Sequence, residues 1–289
     1  RWSASRPSLP LLPSFPGESA ARIGKLGATK RGQSRRTPRR RRPASPEGSS
    51  ARNLERGGIF AMDKPAGWTS ADAVQHVKDM VVKVLGERTK VGHGGTLDRF
   101  ASGVLVIGVG RYGTRMLNKF LKGRKGYLAD VTLGVATDMQ SSAGTITSKA
   151  PYDHVTQEAL EAQLGNFQGS LMQVPPMYSA LKREGKRLHE YAQAGVEVQR
   201  EARQVEVHDI ELLAFNPPVA TLRVDCGPGV YIRTLGSDLA EACGTVGHVS
   251  ALRRTQVGEF DESSCLSLED MSAAAIAQHL RHKVQKERR

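Results

Sequence analysis

Lys90-Val-Gly-His-Gly-Gly-Thr-Leu-Asp98, followed at once by Arg99-Phe-Ala-Ser-Gly-Val-Leu-Val-Ile-Gly108, sets a lone carboxylate at the end of a loop with almost no side-chain bulk. Gly92, Gly94 and Gly95 permit backbone conformations that other residues resist and allow a ligand close approach. The apolar, β-branched run from Val104 to Val109 reads as a buried strand. Asp98 is therefore expected to be anchored to a rigid sheet while facing open space. A turn aspartate that merely caps the next element would have the same local sequence, so the decision rests on the rest of the chain.

Outward from this loop the pattern is one of strands with helices between them. Residues 58–63 read as a short strand and Ser70 to Val84 as a helix capped by Ser70, with Val74, Val77, Val81 and Val84 on its apolar face. Thr114 to Leu121 reads as a short helix, Tyr127 to Val135 as an alternating strand, and Thr145 to Thr147 as a segment that pairs back after a turn. Thr156 caps a helix carrying Leu160, Leu164 and Phe167, and Lys186 to Ala194 is a second helix. Strands follow at Val205 to Phe215 and Ala220 to Asp225. A Cys226-Gly-Pro-Gly229 turn then feeds Val230 to Arg233 and a helix to Cys243. Consecutive antiparallel-type strands with helices between them predict an α+β fold.

The glycines Gly108, Gly110 and Gly113 formally satisfy the dinucleotide fingerprint, with Asp130 about twenty residues on. Asp130, however, falls inside an alternating strand where the fingerprint's acid should end one, and the intervening helix is too short for a crossover. The glycines are read as a strand exit and helix start.

A chain of 289 residues with 39% hydrophobic content fits one large domain or two small ones. No apolar stretch is long enough to span a bilayer. The net charge of +13 is concentrated in the ends: residues 1–52 carry 13 Lys and Arg against two acids, and residues 281–289 five against one. The part between them has a net charge of −2, so RNA contact by the body would need local basic clusters. Candidates are Lys119 with Lys122, Arg124 and Lys125; Lys182 with Arg183, Lys186 and Arg187; and Arg253 with Arg254. Cys226, Cys243 and Cys265 are too few and too scattered for a disulfide framework or a zinc site. Neither metal nor cofactor is predicted, and a reducing, intracellular compartment fits.

Residues 1–52, rich in Ser, Pro, Gly and Arg, are expected to form a disordered basic extension. Within it, Arg39 to Arg42 reads as a nuclear localisation patch or an RNA-touching arm, and the Arg-rich, acid-poor composition equally resembles an organellar leader. Nucleus and mitochondrion stay open, with the cytoplasm a further option. A catalytic domain is expected over 53–270 and a short helical, basic tail over 271–289.

His93-Gly-Gly-Thr-Leu-Asp98 followed by Ala101-Ser-Gly-Val-Leu105 closely resembles the catalytic motif of the TruB-type pseudouridine synthases, which isomerise a uridine in the T-loop of tRNA. Asp63-Lys-Pro-Ala-Gly-Trp-Thr-Ser70, Lys125-Gly-Tyr127, Val174-Pro-Pro-Met-Tyr-Ser-Ala-Leu-Lys182, Gly229-Val-Tyr-Ile-Arg-Thr234 and His248-Val-Ser-Ala-Leu-Arg-Arg254 resemble further signature segments in the expected order. One departure stands out. The family has proline after the catalytic aspartate and this chain has Arg99-Phe100, without the stiffening that a fixed φ would give.

The resemblance implies a mixed, largely antiparallel pseudouridine synthase sheet with flanking helices, and a tRNA substrate modified at T-loop position 55. Messenger RNA sites of T-loop shape are a further implied substrate class, no membrane is implied, and the protein is expected to be a monomer. Only 21 residues follow Leu268, so a stand-alone, eukaryotic-like member without the C-terminal RNA-binding domain of bacterial relatives is expected. Asp98 is implied as the catalytic carboxylate, attacking the ring or the ribose or removing a ribose proton. Arg233 is implied as its cation, a neighbour that would keep it charged in a desolvated pocket. Tyr127 would stack on the extruded uracil, Tyr231 and Leu252 would wall the base pocket, and His93 would fill the space vacated in the RNA. Lys64 and Pro65 would brace the loop from beneath, with Tyr178 and Lys182 as weaker substrate contacts. Extruding a base costs a few kcal/mol, which aromatic stacking at about 1–3 kcal/mol per base can offset.

Overall fold

The computed structural model describes residues 46–282. The expectations for Arg39 to Arg42, for a leader and for the last basic residues lie outside that range. In chain order the elements are α1 (Pro46–Arg56), β1 (Gly58–Lys64), α2 (Ser70–Leu85), β2 (Val91–His93), β3 (Ser102–Val109), α3 (Gly110–Leu121), β4 (Lys125–Leu133), β5 (Val135–Thr137), β6 (Ile146–Lys149) and α4 (Gln157–Leu164). They continue with β7 (Gly169–Gln173), β8 (Lys182–Arg183), β9 (Lys186–Arg187), α5 (Leu188–Gln193), β10 (Arg203–Asn216), β11 (Val219–Cys226), α6 (Ile232–Ala242), β12 (Gly247–Val257), β13 (Phe260–Asp261), β14 (Cys265–Leu266) and α7 (Ala273–His279).

One ten-stranded sheet organises these elements in the order β14-β1-β3-β12-β4-β11-β10-β7, with β2 paired to β3 and β13 to β12. Only β1/β14 and β3/β12 are parallel, so the sheet is mixed and largely antiparallel, as the α+β reading requires. β4 earns its central place by strict alternation: Lys125, Tyr127, Ala129, Val131 and Leu133 point inward and their neighbours are half-exposed. Tyr127, Ala129, Val131 and Leu133 join Leu222, Val224, Leu235 and Leu239 in one apolar cluster under α4 and α6. A second cluster packs α1, α2 and α7 on β1 and β3, through Leu54, Val77, Val81 and Ile276. Each such side chain contributes about 1.5–3 kcal/mol by leaving water.

Several boundaries differ from the sequence reading, each for a stated reason. Residues 46–52, expected to be disordered, are helical: Pro46 starts α1 with a φ already suited to a helix, and Leu54 is fully buried against α2 and α7. Residues 271–282 are no tail, because Met271, Ile276 and Leu280 are buried and Arg281 exchanges backbone hydrogen bonds with Ile59. The cap of α2 is Thr69, not Ser70; its hydroxyl accepts from Asp72 N, and Asp72 accepts from Thr69 N. Val84, at 45% exposure, is off the apolar face. Gln173 from β7 clamps Tyr231, accepting from its N–H (2.8 Å) and donating to its carbonyl (3.1 Å), and α6 already starts at Ile232, within the segment 230–233 read as leading into it. Lys186 and Arg187 belong to the β8–β9 hairpin and not to α5.

Candidate active site

The loop 94–101 leaves β2 and returns into β3. Gly94 serves the protein more than a ligand: a Cβ there would lie 3.0 Å from Phe120 Cβ, so its absence lets α3 pack close, whereas one on Gly92 in β2 would make only ordinary contact with Leu117 at 3.4 Å. Gly95 has φ +137° and sits over Lys125 and Arg254. Gly103, with φ +104°, is required where β3 meets β12, because a Cβ there would stand 2.2 Å from the Arg254 carbonyl oxygen.

At the end of this loop Asp98 Oδ2 lies 2.7 Å from Arg233 Nε. The carboxylate is 38% exposed and the guanidinium 4%, so the acid opens to solvent while its cation is sunk into the protein. Arg233 is held on every side: Nη1 donates to Met139 O (2.8 Å) and Nη2 to Tyr178 O (2.7 Å). A buried guanidinium needs this saturation, because an unmet charged donor away from water is expensive. The segment around Tyr178 thus reaches the site through a backbone carbonyl.

Two ties on the opposite side set the loop against the β1–α2 junction. Ser70 is buried, and its Oγ accepts from Leu97 N at 2.8 Å and donates to Leu97 O at 3.1 Å. Gly67 N donates to Arg99 O (2.7 Å), and Arg99 Nε returns a bond to Gly67 O (2.9 Å). The residue standing where the family has proline therefore anchors the loop by hydrogen bonds. Lys64 is fully buried and donates to Pro65 O and Trp68 O, both at 2.7 Å, fixing the junction itself. Burial, and secondarily the charge of Arg254, push its ammonium down to about 8.

Beneath the loop lies Arg254, 1% exposed, donating to Val104 O (2.8 Å), Thr96 O (3.2 Å) and Gly95 O (3.2 Å). No carboxylate pairs with it among the described residues. Lys125, at 8% exposure, is likewise pushed down to about 8 by burial and then by Arg254. Sequence reasoning placed Arg254 and Lys125 with the RNA-facing cations, and both point inward. Arg253 is also occupied, gripping both oxygens of Asp63 and one of Glu262, and Arg124 pairs with Asp225.

Of the predicted neighbours, Tyr127 and Tyr231 lie near enough to Asp98 to feel its charge. Tyr127 and Leu252, each 7% exposed, pack with Leu97 and Ala101 in the main core cluster. Burial raises the Tyr127 phenol, opposed by nearby Arg254. Tyr231, half-buried at the start of α6, is raised mainly by burial and feels the charges of Arg233 and Asp98. His93 stands apart, at the other end of the loop on β2; burial, then Arg254, lowers it toward the neutral imidazole.

Asp98 is thus a solvent-facing carboxylate fixed to a buried guanidinium in the loop that enters β3. Residues 83–232 match the TruB family pseudouridylate synthase (N terminal domain), and residues 233–286, whose described part runs from α6 through β12 to α7, match the tRNA pseudouridylate synthase B C-terminal domain. The chain belongs to the TruB family. It is 44% identical over 230 residues to Pseudouridylate synthase TRUB1 of Mus musculus, covering 75% of this chain and 68% of that protein. It is 42% identical over 232 residues to tRNA pseudouridine synthase B of Desulfotalea psychrophila, covering 78% and 92%. A chain in the crystal structure of a Cbf5-Nop10-Gar1 complex is similar with TM-score 0.59 and 29% identity, over 76% of this chain and 55% of that one. The chain thus spans just over half the length of that solved relative.

Proposed function

We propose that the protein converts uridine to pseudouridine at position 55 in the T-loop of tRNA, with Asp98 as the reacting carboxylate. The bond from the ribose to N1 breaks, the base turns, and the ribose rejoins it at C5. The reaction needs a charged group beside the sugar and a pocket that retains the detached base. The observation that carries the reading is the Asp98–Arg233 pair at 2.7 Å, held on a saturated guanidinium in a chain of this family. In this reading the extruded uracil stacks on Tyr127, Tyr231 and Leu252 line the pocket, and His93 takes the vacated place in the RNA. The protein works as a monomer inside the cell, in nucleus, mitochondrion or also cytoplasm, on T-arm RNA and on messenger RNA sites of the same shape.

Asp98→Asn keeps the size of the side chain and removes the charge. Pseudouridine formation in tRNA transcripts should fall below detection while tRNA affinity stays within several-fold. Retained product in that variant would overturn the assignment.

A further inference from the structure

Among the described residues, two that are not glycine hold a positive φ: Glu184 at +51° and Gln140 at +54°. Glu184 is accounted for locally, because with Gly185 it forms the two-residue link of the β8–β9 hairpin, a turn that demands such angles. Gln140 lies instead in the longer loop between β5 and β6, where glycine would take the left-handed conformation without strain. Backbone strain of this kind persists where surrounding contacts over-determine it. Here those contacts lead to Arg233. Gln140 N donates to Thr137 O (3.0 Å) and Gln140 O accepts from Val249 N on β12 (3.1 Å), so its backbone is anchored on both sides. Its Oε1 accepts from Thr234 Oγ1 (3.0 Å), and Thr234 follows Arg233 on α6.

The peptide joining Met139 to Gln140 carries the carbonyl that receives Arg233 Nη1 at 2.8 Å. Because that peptide is planar, the φ of Gln140 sets where the carbonyl points relative to the anchored residue. We propose that Gln140 is a positioning residue for the reaction: its left-handed backbone aims the Met139 carbonyl at Arg233, and its amide ties the same loop to α6. Arg233 in turn holds Asp98, so the loop between β5 and β6 acts on the carboxylate without touching it. The inference deepens the activity proposed above and rests on it for its kinetic reading.

The test compares pseudouridine formation in tRNA by the wild type, Gln140→Ala and Gln140→Gly. A control in the same loop, Ser142→Ala, removes a side-chain bond to Ser250 O (2.9 Å). Alanine and glycine both delete the amide, but only glycine takes the left-handed angle freely. Gln140→Ala should therefore lower kcat about tenfold with KM for tRNA within about twofold. Gln140→Gly should stay within about threefold of the wild-type kcat, and Ser142→Ala should match the wild type. In an Arg233→Lys background Gln140→Ala should cost little more, since its target is already gone. A wild-type kcat in Gln140→Ala, or its full loss repeated in that background, would overturn the proposal. The Arg233 Nε–Hε resonance reads the same geometry without turnover: it should move in Gln140→Ala and hold in Ser142→Ala. A wild type that forms no pseudouridine would overturn the activity, and that resonance would still decide the positioning, an unmoved signal in Gln140→Ala ending it.

Discussion

Arg233 and Arg254 flank the same loop, both almost wholly buried, and they differ in what they face. Arg233 meets one carboxylate and two carbonyls; Arg254 meets three carbonyls, two of them in the loop itself. The first arrangement matches charge to charge beside the exposed acid, and so acts on chemistry. The second fastens the backbone and spreads positive charge under it, and so acts on geometry. Burying a guanidinium without a carboxylate is tolerable only because three carbonyls receive it.

The comparison breaks most sharply at Arg254. Arg254→Met leaves the Gly95, Thr96 and Val104 carbonyls unmet and should cost about 3–5 kcal/mol of stability, read as a lower urea midpoint. Arg233→Lys should do the converse: one ammonium cannot serve three directions, so turnover should fall about 100-fold, or about 2.7 kcal/mol, with a much smaller change in the midpoint. Equal stability losses in the two variants would erase the distinction.

Lys64 sharpens the comparison through pH. Its ammonium sits at about 8 in the fold against 10.5 in the unfolded chain, so between those values the unfolded state binds more protons and stability should rise with pH. Across pH 8 to 10.5 Lys64 should contribute a rise on the order of 2 kcal/mol, with Lys125 adding a rise of the same sign, and Lys64→Met should remove the Lys64 share and make the slope shallower. The smallest effect belongs to the other side of the loop. Ser70→Ala loosens Leu97 and should cost about 1 kcal/mol, seen as a small drop in melting temperature, with Arg254 still holding Gly95 and Thr96.

What was legible followed side-chain signatures. The pairing of Asp98 with Arg233 came from motif resemblance, and β4 from its clean alternation. Arg254 was misread as an RNA contact although it lies two residues from Leu252, on the same inward strand face. A charged residue at a core position hid both the role and the strand, since β12 was never read as one. Met139 and Tyr178 act through carbonyl oxygens, which every residue has, so no sequence pattern marks them. Ser70 was read as the cap, yet Thr69 with Asp72 three residues on was the stronger capping signal.

The loop bearing Asp98 is fastened from 64–70, 139, 178, 233 and 254, stretches scattered over nearly the whole described chain. No contiguous fragment could therefore present the carboxylate correctly, and a protein cut in two would have to reassemble before it turned over. Loss of catalysis on denaturation should superimpose on loss of tertiary structure, which makes enzymatic rate a faithful gauge of folding in this molecule.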